Sequence, residues 1–162
     1  MNKIATLSYN YKNNKTMENK HQYEVDVEWT DDRKGTISSP VLHQKIEIAT
    51  PPDFPKGEPN IWSPEHLFVA AINSCVMNTF FAIAENSELK YESFKCNAIG
   101  IVEKIDEMYV VTEIKLKPIL TIADAQDSDK ALRVIEMSEK NCLISNSVKS
   151  KIIVEPKIVV AS

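Results

Sequence analysis

The sequence is poor in glycine, cysteine, histidine and arginine: three Gly, three Cys, three His and two Arg stand among 162 residues. So few glycines exclude a collagen-like repeat, and they leave no glycine-rich loop of the kind that cradles phosphates, so neither a flavin nor a nicotinamide is expected. Cys75, Cys96 and Cys142 lie 21 and 46 residues apart, far from the close Cys pairs of structural zinc sites. His21, His43 and His66 are equally scattered. No metal site and no cofactor are expected. Cation clusters are also lacking: the formal net charge of −4 argues against a polyanion partner such as nucleic acid. The longest apolar run, Leu67 to Ala84, is broken by Asn73, Ser74, Asn78 and Thr79 and reads as a buried helix, not a membrane span. Met1 to Asn19 is polar and has no apolar run long enough for a secretory signal, so a cytoplasmic location is expected.

What is present suits one compact domain over residues 1–162, with 43% hydrophobic and 26% charged residues. Tyr23 to Trp29 alternates, placing Tyr23, Val25, Val27 and Trp29 on one side of a half-buried strand. Thr36 to Ser39 and Gln44 to Ile48 follow as short strands before a proline-rich loop from Thr50 to Asn60. A helix should start at Ser63 as N-cap with Pro64 at the first helical position; His66 stands where a capping box has Glu or Gln. It should run to about Asn86, apolar on nearly every side and therefore central, with few exposed positions. Phe94 to Val102 and Met108 to Ile122 read as two long strands, Asp127 to Asn141 as a second helix with Cys142 just past it. Lys151 to Val160 reads as a last strand bent or set at an edge by Pro156. The order of strands, helix, strands, helix and strand gives an α+β fold.

Cys75 falls in the middle of the apolar helix, where it is either a small core residue or a nucleophilic thiolate. A reactive thiol needs a nearby cation to lower its pKa. Arg33 and Arg133 are the only arginines beside 17 lysines, and a guanidinium presents a rigid donor fork that lysine lacks.

Three blocks then carry a resemblance. Trp62-Ser63-Pro64-Glu65-His66-Leu67 through Ala71 to Cys75 resembles the Ser/Asn-Pro-Glu-x-Leu…Ala-x-x-x-Cys segment of the OsmC/Ohr family of osmotically inducible and organic hydroperoxide resistance proteins. Ala131 to Ser145 is similar to that family's second helix ending in Cys-Pro-x-Ser, with Leu143 in place of the proline. Trp29 to Gly35 resembles its early turn carrying an arginine.

The resemblance implies an OsmC-like α+β fold, with antiparallel sheets packed around two central helices in an intertwined homodimer. It also implies a thiol-dependent peroxidase for organic hydroperoxides. Cys75 would be the peroxidatic thiol, oxidised to a sulfenic acid that Cys142 resolves as a Cys75–Cys142 disulfide; an external dithiol, of lipoyl type or a small thiol, would return the electrons. Arg33 would favour the thiolate and Glu65 would orient Arg33. Ten helical residues rise about 15 Å, so a Glu65 acting with Cys75 should come from a second chain. Phe54, Trp62, Phe68, Phe80 and Phe81 are candidates for the peroxide pocket, Trp62 and Phe54 foremost because they border the loop. Cys96 matches nothing in the family pattern and reads as core. Two other functions fit the same residues: a non-catalytic member binding a small apolar ligand, and a thiol redox sensor.

Overall fold

The computed structural model describes residues 20–161, and the polar stretch 1–19 noted above lies outside them. β1 (Asp26–Asp31), β2 (Lys34–Ser38) and β3 (Ile46–Ala49) form an antiparallel three-stranded sheet in sequence order. A bulge between Trp29 and Asp31 closes the β1–β2 turn, where Asp32 takes a left-handed backbone. The alternation of Tyr23, Val25, Val27 and Trp29 does not bury one side as expected. All four are exposed, Trp29 by 72%, because no element among the described residues lies over that face.

The helix expected at Ser63 is α1 (Pro64–Asn86). Ser63 Oγ accepts from the His66 backbone N–H, and His66 Nδ1 accepts in return from the Ser63 N–H at 3.3 Å. The imidazole thus completes the box in place of a carboxylate. At the other end Glu88 turns left-handed, and the Leu89 N–H returns to the Ala84 carbonyl at 2.9 Å. Within this chain α1 buries only the stripe Ile72, Val76, Phe80 and Ala84, at four-residue spacing. The expectation of a helix buried on nearly every side therefore fails for a single chain: Ala71, Ser74, Asn78, Phe81 and Ala82 face outward.

β4 (Ser93–Ile105) and β5 (Met108–Ile122) form a long hairpin. Its two-residue turn, Asp106-Glu107, has φ of 46° and 68°, the primed geometry that matches strand twist. α2 (Ser128–Lys140) crosses back over the sheet, so β6 (Lys151–Val154) and β7 (Lys157–Val160) lie parallel to β5. This corrects the expectation of purely antiparallel sheets: the second sheet is mixed. The segment 151–160 is split at Pro156 as read from sequence, and the split explains a proline inside a central strand. β6 pairs with Glu113–Leu116 and β7 with Ile119–Ile122. Pro118, which has no N–H to give, falls at the gap between them, opposite the kink at Glu155-Pro156.

Two apolar clusters lie between helices and sheet. One gathers Phe80, Ala84, Leu89, Leu120, Ile122, Ala131, Val134 and Ile135. The other gathers Ile72, Val76, Ile114, Leu116 and Cys142, with Cys75 and Cys96 packed against it. Gly100 permits the close fit of β4 on α1: a Cβ there would sit 2.6 Å from a Val69 methyl. The fold is α+β, as the element order implied.

Candidate active site

The second cluster brings two of the expected site residues together. Cys75, on α1, is partly exposed; Cys142, just past α2, is fully buried; both are free thiols. Cys75 packs against the cluster that contains Cys142, so the two thiols are neighbours. The turn that follows Cys142 is tied down by its own polar groups. Asn146 Nδ2 donates to the Lys140 and Cys142 carbonyls at 2.9 Å each, and the Asn146 N–H donates to the Cys142 carbonyl at 3.1 Å. In consequence the Ser145 N–H donates to Cys142 Sγ at 3.3 Å. Leu143, which replaces the family's proline, is 69% exposed, so its side chain leaves the thiol pair undisturbed.

Burial pushes the Cys75 thiol above its ordinary value, and the neighbouring Cys142 sulfur pushes it the same way. The Ile144 amide and the Thr79 hydroxyl pull it down. None of these groups is a cation. Cys96 stands on β4, with its thiol pushed up to about 11 by burial, the behaviour of the core residue read from sequence.

Arg33 and Glu65 are not joined to the thiol pair within the chain. Arg33 is exposed in the β1–β2 turn and has no ion-pair partner among the described residues. Its carbonyl accepts from the Thr50 N–H at 3.2 Å, which seats the turn beside the loop 50–62. Glu65, in the first turn of α1, has its Oε2 buried without a hydrogen-bond partner among the described residues. It borders a cavity of about 730 Å³ whose walls include Phe54, Trp62, His66, Asn73, Cys96 and Tyr109. Phe54 and Trp62, the two aromatics favoured from sequence, thus share a cavity with Glu65. Phe80 belongs to the core, Phe68 packs against the thiol cluster, and Phe81 stacks on Tyr91 outside the cavity. Sequence reasoning missed Tyr109 and Asn73. Tyr109 meets Phe54 edge-on at 5.1 Å, and Asn73 Nδ2 donates to the Cys96 carbonyl at 3.1 Å. Both contacts cross between elements distant in sequence, and no local pattern marks them.

The loop that carries Phe54 is held by backbone bonds, Phe54 N–H to Pro51, Gly57 N–H to Phe54 and Glu58 N–H to Thr50, and by left-handed turns at Lys56 and Asn60. Gly57 lies so close to the Pro51 carbonyl that a Cβ would stand 2.0 Å from its oxygen.

Comparison with known proteins agrees with this architecture. Residues 57–157 match the family of OsmC-like proteins, more than half of the chain, and the protein belongs to that family. An OsmC-like protein of unknown function from Vibrio cholerae superposes with a TM-score of 0.76 at 25% identity, over 85% of this chain and 99% of that one. An organic hydroperoxide resistance protein from Elizabethkingia anophelis has the same fold, with a TM-score of 0.70 at 18% identity over 90% of this chain and 100% of that one. In sequence, the uncharacterized protein YmaD of Bacillus subtilis is 26% identical over 137 residues, covering 82% of this chain and 89% of its own.

Proposed function

We propose that the protein is a thiol-dependent peroxidase that reduces organic hydroperoxides to alcohols in the cytoplasm. The observation that carries this reading is the pairing of a partly exposed Cys75 with a fully buried Cys142. The exposed sulfur can meet a peroxide, and the buried one can reach only the first. The Cys75 thiolate attacks the distal peroxide oxygen; the O–O bond breaks, the alkoxide takes a proton to leave as alcohol, and Cys75 holds the oxygen as a sulfenic acid. The Cys142 thiolate then attacks the Cys75 sulfur, displaces hydroxide that leaves as water, and forms the Cys75–Cys142 disulfide. An external dithiol, lipoyl-type or small, returns the two electrons by exchange.

Among the described residues no cation acts on the raised Cys75 thiol, and Glu65 has a buried oxygen with no partner. Both needs are met if two copies associate and the Arg33 guanidinium of one, oriented by Glu65, faces Cys75 of the other. The exposed faces of α1 and β1 offer apolar surface for a homodimer of this kind. The cavity bordered by Phe54 and Trp62 then suits the organic part of the peroxide.

The same cavity and the raised thiol favour one second reading, a non-catalytic protein that binds a small apolar molecule. Stopped-flow mixing of the reduced protein with cumene hydroperoxide separates the two. The peroxidase consumes peroxide rapidly and yields a Cys75–Cys142 bond by mass spectrometry; slow loss unchanged in Cys75→Ser supports the binder.

A further inference from the structure

His66 fills the unassigned position of the Ser/Asn-Pro-Glu-x-Leu pattern, and its imidazole has two edges with different work. One edge completes the capping box. Ser63 is fully buried, so its N–H needs an acceptor within the protein, and it has His66 Nδ1 at 3.3 Å. The Ser63 hydroxyl oxygen stands 2.8 Å from the same nitrogen and accepts from the His66 backbone N–H, which leaves its own proton for Nδ1. With both Ser63 donors aimed at it, Nδ1 presents a lone pair, and the proton of the neutral ring sits on Nε2. Nε2 has no hydrogen-bond partner among the described residues, and His66 lines the cavity that Phe54, Trp62 and Glu65 also border. Trp62 meets the imidazole edge-on with ring centroids 6.1 Å apart. In the same cavity the Asp53 and Glu65 carboxylates only accept, and Asn73 already donates to the Cys96 carbonyl. The Nε2–H edge is thus a fixed, uncommitted donor at the cavity wall.

We propose that His66 is a catalytic residue that donates a hydrogen bond from Nε2 to the leaving oxygen of the peroxide as the O–O bond breaks. This inference rests on the peroxidase reading, with the organic group seated in the cavity and two copies associated. Cys75 stands nine residues on, about 14 Å along the helix and half-way round it, so His66 joins Glu65 in serving the Cys75 of a second copy. An organic group in the cavity sets the oxygen that carries it beside His66 and turns the distal oxygen toward the sulfur. The sulfur bonds to the distal oxygen, and the O–O electron pair passes to the leaving oxygen. The proton released when the Cys75 thiol ionised returns through water to complete the alcohol. His66 keeps its own proton throughout, since giving it up would leave an imidazolate. Its part is to stabilise charge: the leaving oxygen is neutral in the bound peroxide and turns negative in the transition state, where a donor already in place lowers the barrier.

The test varies the leaving group. tert-Butyl hydroperoxide expels an alkoxide; peracetic acid expels a carboxylate, which is far more stable and gains less from a donor. Three variants of the full-length protein are compared. His66→Gln offers both an acceptor for the Ser63 N–H and an amide donor, His66→Glu keeps the acceptor and removes the donor, and His66→Met removes both. Peroxide loss is followed by stopped flow at one pH, with circular dichroism to confirm folding. His66→Glu and His66→Met should slow the reaction with tert-butyl hydroperoxide about tenfold to a hundredfold and that with peracetic acid less than about threefold, while His66→Gln should stay near the parent on both. Equal slowing with the two peroxides overturns the proposal and marks a packing role. So does no slowing, or a His66→Gln protein as slow as His66→Met. A parent whose peroxide loss is unchanged by Cys75→Ser ends the peroxidase reading and this inference with it. A Cys75-dependent parent with unaffected His66 variants ends this inference alone.

Discussion

The end of α2 and the β1–β2 turn differ in how much one chain can finish. At the end of α2 the thiol pair, the Ser145 amide that donates to Cys142 and their apolar bed all come from the same chain, with Cys142 fully buried and the turn locked by Asn146. Around the β1–β2 turn the polar groups are present but unmatched among the described residues: Arg33 is exposed, Glu65 holds a buried oxygen without a partner, and the apolar side of β1 faces outward. Two neighbouring thiols are supplied by one chain. Charge stabilisation can be supplied across a boundary, and here the chain leaves it to be supplied.

The sharpest way to break that contrast is complementation. Arg33→Ala should lower peroxide turnover about a hundredfold, and Cys75→Ser should abolish it. If the two halves come from different copies, mixing and re-annealing these inactive variants restores roughly a quarter of the sites, since one in two dimers is mixed and one of its two sites is intact. If both halves come from one chain, the mixture stays inactive, as rates of peroxide loss will show. Next in size, Gly57→Ala drives a Cβ into the Pro51 carbonyl and should cost about 2–4 kcal/mol by denaturant unfolding. The loop carrying Phe54 should be disturbed while the oxidised protein still forms the Cys75–Cys142 bond. His66→Ala removes the acceptor for the Ser63 N–H and should cost about 0.5–1 kcal/mol, seen as a small fall in Tm.

The smallest effect at neutral pH is expected at Cys96, which acts on stability only in alkali. Its thiol is held near 11, above the value it has when unfolded, so the folded chain keeps a proton that the unfolded chain releases. Stability should therefore fall as pH rises from the ordinary thiol range through about 11, and be unaffected by this group below that range. Cys96→Ser should flatten that part of the curve, measured by urea unfolding at a series of pH values.

Much of the fold was legible because its signals are local. Ser63 and Pro64 fixed the start of α1 through capping chemistry, Pro156 announced the break in the last strand, and Cys142 fell just past a helix whose end was readable. The parallel pairing of β6 and β7 was not legible, since it follows from where α2 carries the chain and not from any residue in those strands. The outward faces of α1 and β1 were misread for a related reason. An apolar pattern announces that a surface will be covered, and is silent on whether the cover comes from the same chain. At the candidate site the cysteines, Arg33, Glu65, Phe54 and Trp62 stood in readable blocks. Tyr109 and Asn73 entered only through contacts between distant segments.

The gap at Pro118 and Pro156 divides the support beneath the molecule into two splints. β6 places Ile152 under the thiol cluster, β7 places Ile158 under the cluster around Phe80, and Val154 touches both. The gap breaks the sheet on one side of β5 only, since β4 pairs with β5 without interruption there, Cys96 opposite Pro118 and Asn97 opposite Lys117, and one continuous hairpin therefore carries two separately docked short strands.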